Sequence, residues 1–107
     1  MPPPPPFAPS GLSATPGAIL GILGIDLAWT DNSSDEDGFK IERCQGTAAS
    51  CTDLDFAQIA QVGADVTSYS DTDPLLLPLT TYTYRVRAYN AFGDSGYSNT
   101  ASAVPGP

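Results

Sequence analysis

Between Tyr82 and Tyr89 the side chains change character at every step. Tyr82, Tyr84, Val86 and Ala88 alternate with Thr83, Arg85, Arg87 and Tyr89. Successive side chains of a strand point to opposite faces, so such a run sets one face in a core and the other in water. Ile25, Leu27 and Trp29 alternate in the same way with Asp26, Ala28 and Thr30, and Phe39 and Ile41 with Lys40 and Glu42. Shorter candidate strands are Gly11–Thr15, Phe56–Val62, Thr67–Asp71 and Gly96–Val104. The imperfect alternation of Phe56–Val62 leaves room for a bulge. No stretch combines a helical period with a cap. Seven short strands with turn signals between them predict an all-β, antiparallel sandwich.

Composition narrows the function. A chain of 107 residues suits one domain with one core. Its formal net charge is −8, with only four basic residues. A nucleic-acid binder needs a cationic face to neutralise phosphate, so no nucleic-acid partner is expected. The same shortage disfavours an anionic membrane surface, and no segment is long and apolar enough to insert in a bilayer. The chain has no His, which removes Ser–His and Cys–His catalytic pairs. Cys44 and Cys51 are too far apart for a CxxC motif and have no further Cys or His to complete a zinc site. A disulfide closing a hairpin is the expected reading, two free loop thiols the alternative. The disulfide implies an oxidising, extracytoplasmic setting. No cofactor or metal is expected.

Met1–Pro9 is rich in proline, and Pro105-Gly106-Pro107 ends the chain in similar style. Both read as extended spacers with little internal packing. The expected division is a tail over residues 1–8, a folded domain over 9–104 and a linker over 105–107. MPPPPPF has neither the basic start nor the apolar run of a signal peptide, so an exported chain would be a mature or excised piece.

The run LLPLTTYTYRVRAYNAFGDSGYSN, from Leu76 to Asn99, resembles the end of a fibronectin type III domain. Leu76, Pro78, Thr80 and Tyr82 match that family's approach to its sixth strand. Tyr84, Val86, Ala88 and Asn90 match the strand itself, and Trp29 matches the second-strand tryptophan. WTDNSSDEDGFKIER resembles the second-to-third strand passage of bacterial members. The likeness runs from about Pro9 to Val104 and implies a seven-stranded, immunoglobulin-like sandwich. It also implies fold-defining core roles for Trp29, Leu76, Tyr82 and Val86, with Tyr82 as a tyrosine corner whose hydroxyl bonds backbone near the preceding turn.

The stretch DNSSDEDG offers Asp31, Ser33, Asp35 and Asp37 at alternate positions, as a calcium loop would. An EF-hand needs Gly at its sixth place and Glu at its twelfth. From Asp31 these places fall on Glu36 and Glu42, so the Glu fits and the Gly does not. The expected role is to turn the chain, with Asp, Asn and Ser bonding local backbone and Gly38 supplying a positive φ. Asn32-Ser33-Ser34 is a glycan acceptor by its letters. Gly93-Asp94-Ser95-Gly96 copies the letters around a serine-protease nucleophile, but without His it is read as a turn. The acidic residues fall mostly in loops, and catalysis is not expected.

Two loops depart from the resembled pattern. PGAILGILG, from Pro16 to Gly24, is long and apolar where bacterial relatives carry small polar residues, and DPLLLPL, from Asp73 to Leu79, is likewise longer and more apolar. The resemblance places both at one pole, together with the Cys44–Cys51 hairpin and the C-terminus, and starts the proline tract from the other. Ile19, Leu20, Ile22, Leu23, Leu75, Leu77 and Leu79 are therefore a candidate interface, with Phe7 a candidate to dock on it. The alternative is that some of them cap the core. The expected function is a non-catalytic extracellular or cell-surface spacer or interaction module. Its partner is a protein, either a neighbouring domain or another copy joined head to tail into a filamentous assembly. The alternative is an accessory polysaccharide- or ligand-binding module of a secreted enzyme, with Tyr89, Phe92 and Tyr97 as the candidate ligand face.

Overall fold

The computed structural model describes residues 3–106; the parts of the expected tail and linker on Met1, Pro2 and Pro107 lie outside the described residues. Among the described residues, eight strands form two antiparallel sheets. Strands β1 (Ser10–Pro16), β2 (Ile25–Thr30) and β5 (Ser68–Asp71) make the smaller sheet, in the order β1-β2-β5. The larger holds β3 (Gly38–Gln45), β4 (Ala57–Gly63), β6 (Tyr82–Asn90), β7 (Gly93–Asp94) and β8 (Ala101–Ala103), with β7 and β8 both on β6. The sole helical element among the described residues is a 3₁₀ turn at Asp53–Asp55.

Burial follows the alternation. Ile25, Leu27 and Trp29 point inward from β2, Phe39 and Ile41 from β3, and Tyr82, Tyr84, Val86 and Ala88 from β6. Leu12 and Leu76 complete the core. Trp29 packs edge-on against Phe39, with ring centroids 5.6 Å apart, in the arrangement the aromatic quadrupole favours. The β3–β4 register slips between Ile41 and Glu42: Ile41 faces Ala60 and Glu42 faces Gln58, so Ile59 is the extra residue of a bulge.

The strand count is eight, not seven, because the last strand is split. Ser95 and Ser98 donate their N–H groups to the Ala88 and Val86 carbonyls, and their hydroxyls accept the Ala88 and Val86 N–H groups. Each hydroxyl stands where a strand would offer a carbonyl, so the chain stays attached to β6 while leaving the ladder between β7 and β8. Gly38 also differs from expectation. It has no positive φ. What it supplies is room: a Cβ there would run into the Val62 carbonyl and the Tyr89 hydroxyl, which lies 2.9 Å away.

The ends pack more closely than spacers would. Pro6 and Pro9 are buried, and Asn32 donates from Nδ2 to the Ala8 carbonyl at 3.0 Å. A lone antiparallel bridge joins Gly24 to Gly106 through two N–H···O bonds of 3.1 Å. The body is elongated, 50 × 27 × 21 Å.

Candidate functional site

One pole gathers the β1–β2, β3–β4 and β5–β6 loops, and a buried polar staple sets its geometry. Arg43, near the end of β3, donates from Nη1 to Asp71 Oδ2 at 2.8 Å and from Nη2 to Asp73 Oδ2 at 3.0 Å. The Tyr84 hydroxyl donates to the same Asp71 oxygen at 2.6 Å. Asp71 is buried at the end of β5, so the staple ties one sheet to the other. Burial, reinforced by the Asp71 carboxylate, pushes the Tyr84 hydroxyl far above the ordinary tyrosine pKa. Burial opposes the Arg43 charge, but the Asp71 and Asp73 carboxylates outweigh it and hold the guanidinium protonated. Sequence reading put Tyr84 in the core but did not find Arg43 or Asp71, whose partnership depends on a contact between sheets.

The staple also decides which leucines turn inward. Asp73 Oδ1 accepts the Leu75 N–H at 2.9 Å, the Asp73 carbonyl accepts the Leu76 N–H at 3.0 Å, and the Tyr82 hydroxyl accepts the Leu77 N–H at 2.8 Å. With the backbone held this way Leu76 enters the core, while Leu75 and Leu77 face water. Tyr82 thus has the hydroxyl-to-backbone contact of a tyrosine corner.

Leu79 is the most exposed of the pole leucines, at 95 %, and its φ is +60°. A left-handed backbone is costly for a residue with a Cβ, and here no burial offsets the cost. Ile19, Leu20 and Ile22 are exposed on the tip of the β1–β2 hairpin, whose base is closed by Gly17 N–H donating to the Gly24 carbonyl. Leu23 is half-buried. Leu54, also exposed, lies on the β3–β4 loop at this pole and was missed in sequence because Asp53 and Asp55 flank it. The Cys44–Cys51 disulfide closes the start of that loop. Phe7 is exposed at the opposite pole. Its segment is held there by buried Pro6 and Pro9, and Pro5 lies against Gly93 beside the β6–β7 turn.

The outer face of the larger sheet is a charge network. Arg85 pairs with Glu42 and Asp53, Arg87 with Glu42 and Asp94, and Lys40 with Asp94. The Arg85 guanidinium sits between the rings of Tyr97 and Phe56, 3.7 and 4.2 Å from their centroids. Tyr97 donates its hydroxyl to Glu42 Oε2, and Tyr89 lies under Lys40 with its hydroxyl accepting from Gln61. Of the candidate ligand aromatics, Tyr89 and Tyr97 are therefore occupied by cations, and Phe92 is exposed on the β6–β7 turn.

In the acidic loop, Asp31, Glu36 and Asp65 bring carboxylate oxygens within 4.8 Å of one another. Asp35 and Asp37, which sequence spacing grouped with Asp31, are exposed outside this group. Buried Glu36 accepts from Ser33 Oγ at 2.8 Å and from the Asp65 N–H at 3.0 Å, and Asp31 accepts the Ser33 N–H. Burial alone would raise the Glu36 pKa, but these donors bring it below the ordinary value. The stretch does what a turn needs: it consumes N–H and hydroxyl groups that the strands leave over.

No sequence-family model and no curated protein matches the chain. Solved structures do. An Fn3-like protein from Clostridium thermocellum superposes with a TM-score of 0.69 and 23% identity, over 91% of this chain and 90% of that one. An FN3tt mutant matches with a TM-score of 0.68 and 26% identity, over 94% and 96%. The chain has the fibronectin type III fold. The chain spans about a third of a multidomain titin fragment: it covers 32% of that chain, matched over 92% of this one with a TM-score of 0.68 and 22% identity. Fibronectin type III domains are generally non-catalytic spacer or interaction modules.

Proposed function

We propose that this fibronectin type III domain is an extracellular, non-catalytic interaction module that self-associates head to tail through its apolar pole. Leu79 carries the reading. A side chain that strains the backbone and buries nothing weakens the isolated domain, and contact with a partner is what would offset it. Leu75, Leu77, Leu20 and Ile19, on the β5–β6 and β1–β2 loops, are exposed too, and this concentration of apolar side chains on two loops supports an interaction surface. Phe7, exposed on a segment anchored beside the β6–β7 turn, is the apolar group a neighbouring copy would bring to it. Such a contact joins unlike surfaces, so copies add in a line rather than closing as a pair. The disulfide supports the extracellular setting.

Sedimentation velocity of the oxidised chain from low to high micromolar concentration tests this. A boundary that moves faster with concentration, and slows on Leu77→Asp or on deletion of residues 1–8, is expected. A single monomeric boundary throughout would reject self-association.

A further inference from the structure

The β1–β2 hairpin tip overhangs the outer face of the smaller sheet and encloses a cleft of about 160 Å³. Ile19 and Ile22 form its apolar wall, and Asp26, Ser70 and Thr72 its polar side. Asp26 on β2 stands opposite Ser70 on β5 in register, and both point away from the core that Ile25 and Leu27 enter. Ser70 Oγ donates to Asp26 Oδ1 at 2.9 Å. Among the described residues nothing donates to Asp26 Oδ2, and no cation pairs with this carboxylate.

We infer that this cleft takes a lysine or arginine side chain from a different protein. Its volume is below the roughly 300–1,000 Å³ of drug-sized sites and suits one side chain. An alkyl stem fits the Ile19–Ile22 wall while its cationic head meets Asp26, the division of labour that long basic side chains adopt wherever apolar surface borders a charge. A net charge of −8 draws such a group in. Another copy of this chain does not supply it. The four basic side chains, Lys40, Arg43, Arg85 and Arg87, are each already bound to carboxylates on β-sheet positions. The site is therefore heterotypic. It shares Ile19 with the pole proposed for head-to-tail association, but Asp26, Ser70 and Thr72 on the sheet face have no part in that association, so Asp26→Asn tests this site without touching the other.

The test is amide chemical-shift titration of the isotope-labelled full chain with two capped tripeptides, Gly-Lys-Gly and its norleucine counterpart, which has the stem without the charge. The lysine peptide is expected to move the Ile19, Ile22, Asp26 and Thr72 signals, and the norleucine peptide to bind about fivefold more weakly, the upper range for one partly exposed ion pair. Asp26→Asn should bring the lysine peptide down to the norleucine level. Asp26 is exposed, so an unchanged melting temperature verifies that this variant folds. Ile22→Ser should weaken both peptides alike. Equal binding of the two peptides, lysine binding untouched by Asp26→Asn, or shifts confined to the Asp35–Asp37 loop would overturn the inference.

Discussion

Replacing Leu79 by glycine should make the domain more stable and its assembly weaker, an opposition that few surface substitutions produce. The left-handed conformation costs a non-glycine residue about 1–2 kcal/mol, which glycine recovers. Glycine also loosens the unfolded chain, at a cost of about 0.5–1 kcal/mol. Leu79 is 95 % exposed, so truncation forfeits almost no burial. The hydrogen bond nearest it, from Thr80 Oγ to the Pro78 carbonyl, does not involve its side chain. The net gain is about 0.5–1 kcal/mol, a rise of about 2–8 °C in melting temperature for a domain of this size. Leu79→Ala is the control, because it removes the apolar side chain but keeps the strain. It should leave the melting temperature within experimental error while weakening association as much as the glycine does. Differential scanning calorimetry at low concentration reads the first effect and sedimentation velocity the second. A Leu79→Gly chain that melts lower than the parent would show that the leucine contributes to the monomer, and the reasoning from strain would fail.

Asp71→Ala should cost about 3 kcal/mol in urea unfolding, since it leaves the Tyr84 hydroxyl buried without a partner and Arg43 with Asp73 alone; a loss below about 1 kcal/mol would mean the staple is ornamental. The same staple sets an alkaline limit. Tyr84 keeps its proton in the fold at a pH where the unfolded tyrosine, with a pKa near 10, has lost it. Stability is therefore full below about pH 10 and falls as pH rises beyond it, with Tyr69 and Tyr97, also raised, adding in the same direction. Tyr84→Phe should flatten that slope in melts taken at successive alkaline pH values. Replacing both cysteines by serine, or reducing the disulfide, should cost roughly 2.5 kcal/mol on chain-entropy grounds, read from denaturant midpoints. Gly38→Ala should destabilise by several kcal/mol because its methyl group meets the backbone of β4, whereas a positive-φ requirement would have predicted a smaller strain penalty.

What sequence alone revealed, and what it hid, divides along a physical line. Alternation in Ile25–Thr30 and Tyr82–Tyr89 named the inward faces because a strand's side chains are bound to a period of two, and those residues are the core. The Ile59 bulge was foreshadowed by a break in that period. Loops have no period. Nothing in DPLLLPL distinguishes Leu76, which enters the core, from Leu75 and Leu77, which do not; only the likeness to a known family singled it out. The distinction comes from Asp73 and Tyr82 gripping the intervening N–H groups. The split of the last strand was likewise invisible, since it depends on two serine hydroxyls substituting for carbonyls. Arg43 looked like one more strand residue, because its partners lie across the sandwich.

The bridge between Gly24 and Gly106 has a mechanical consequence. Both β1 and β8 run toward the apolar pole, and Gly106 is hydrogen-bonded there to the residue that begins β2's approach. A pull applied between residue 3 and residue 106 would load the sandwich lengthwise. Strand β1 would slide against β2 and β8 against β6, so their ladder bonds would yield together rather than one at a time. The glycine bridge lies ahead of the short β8 pairing on that load path and takes tension first. In the proposed linear array, the pole proposed to meet the next copy would therefore be the one that feels stretching before any strand gives way.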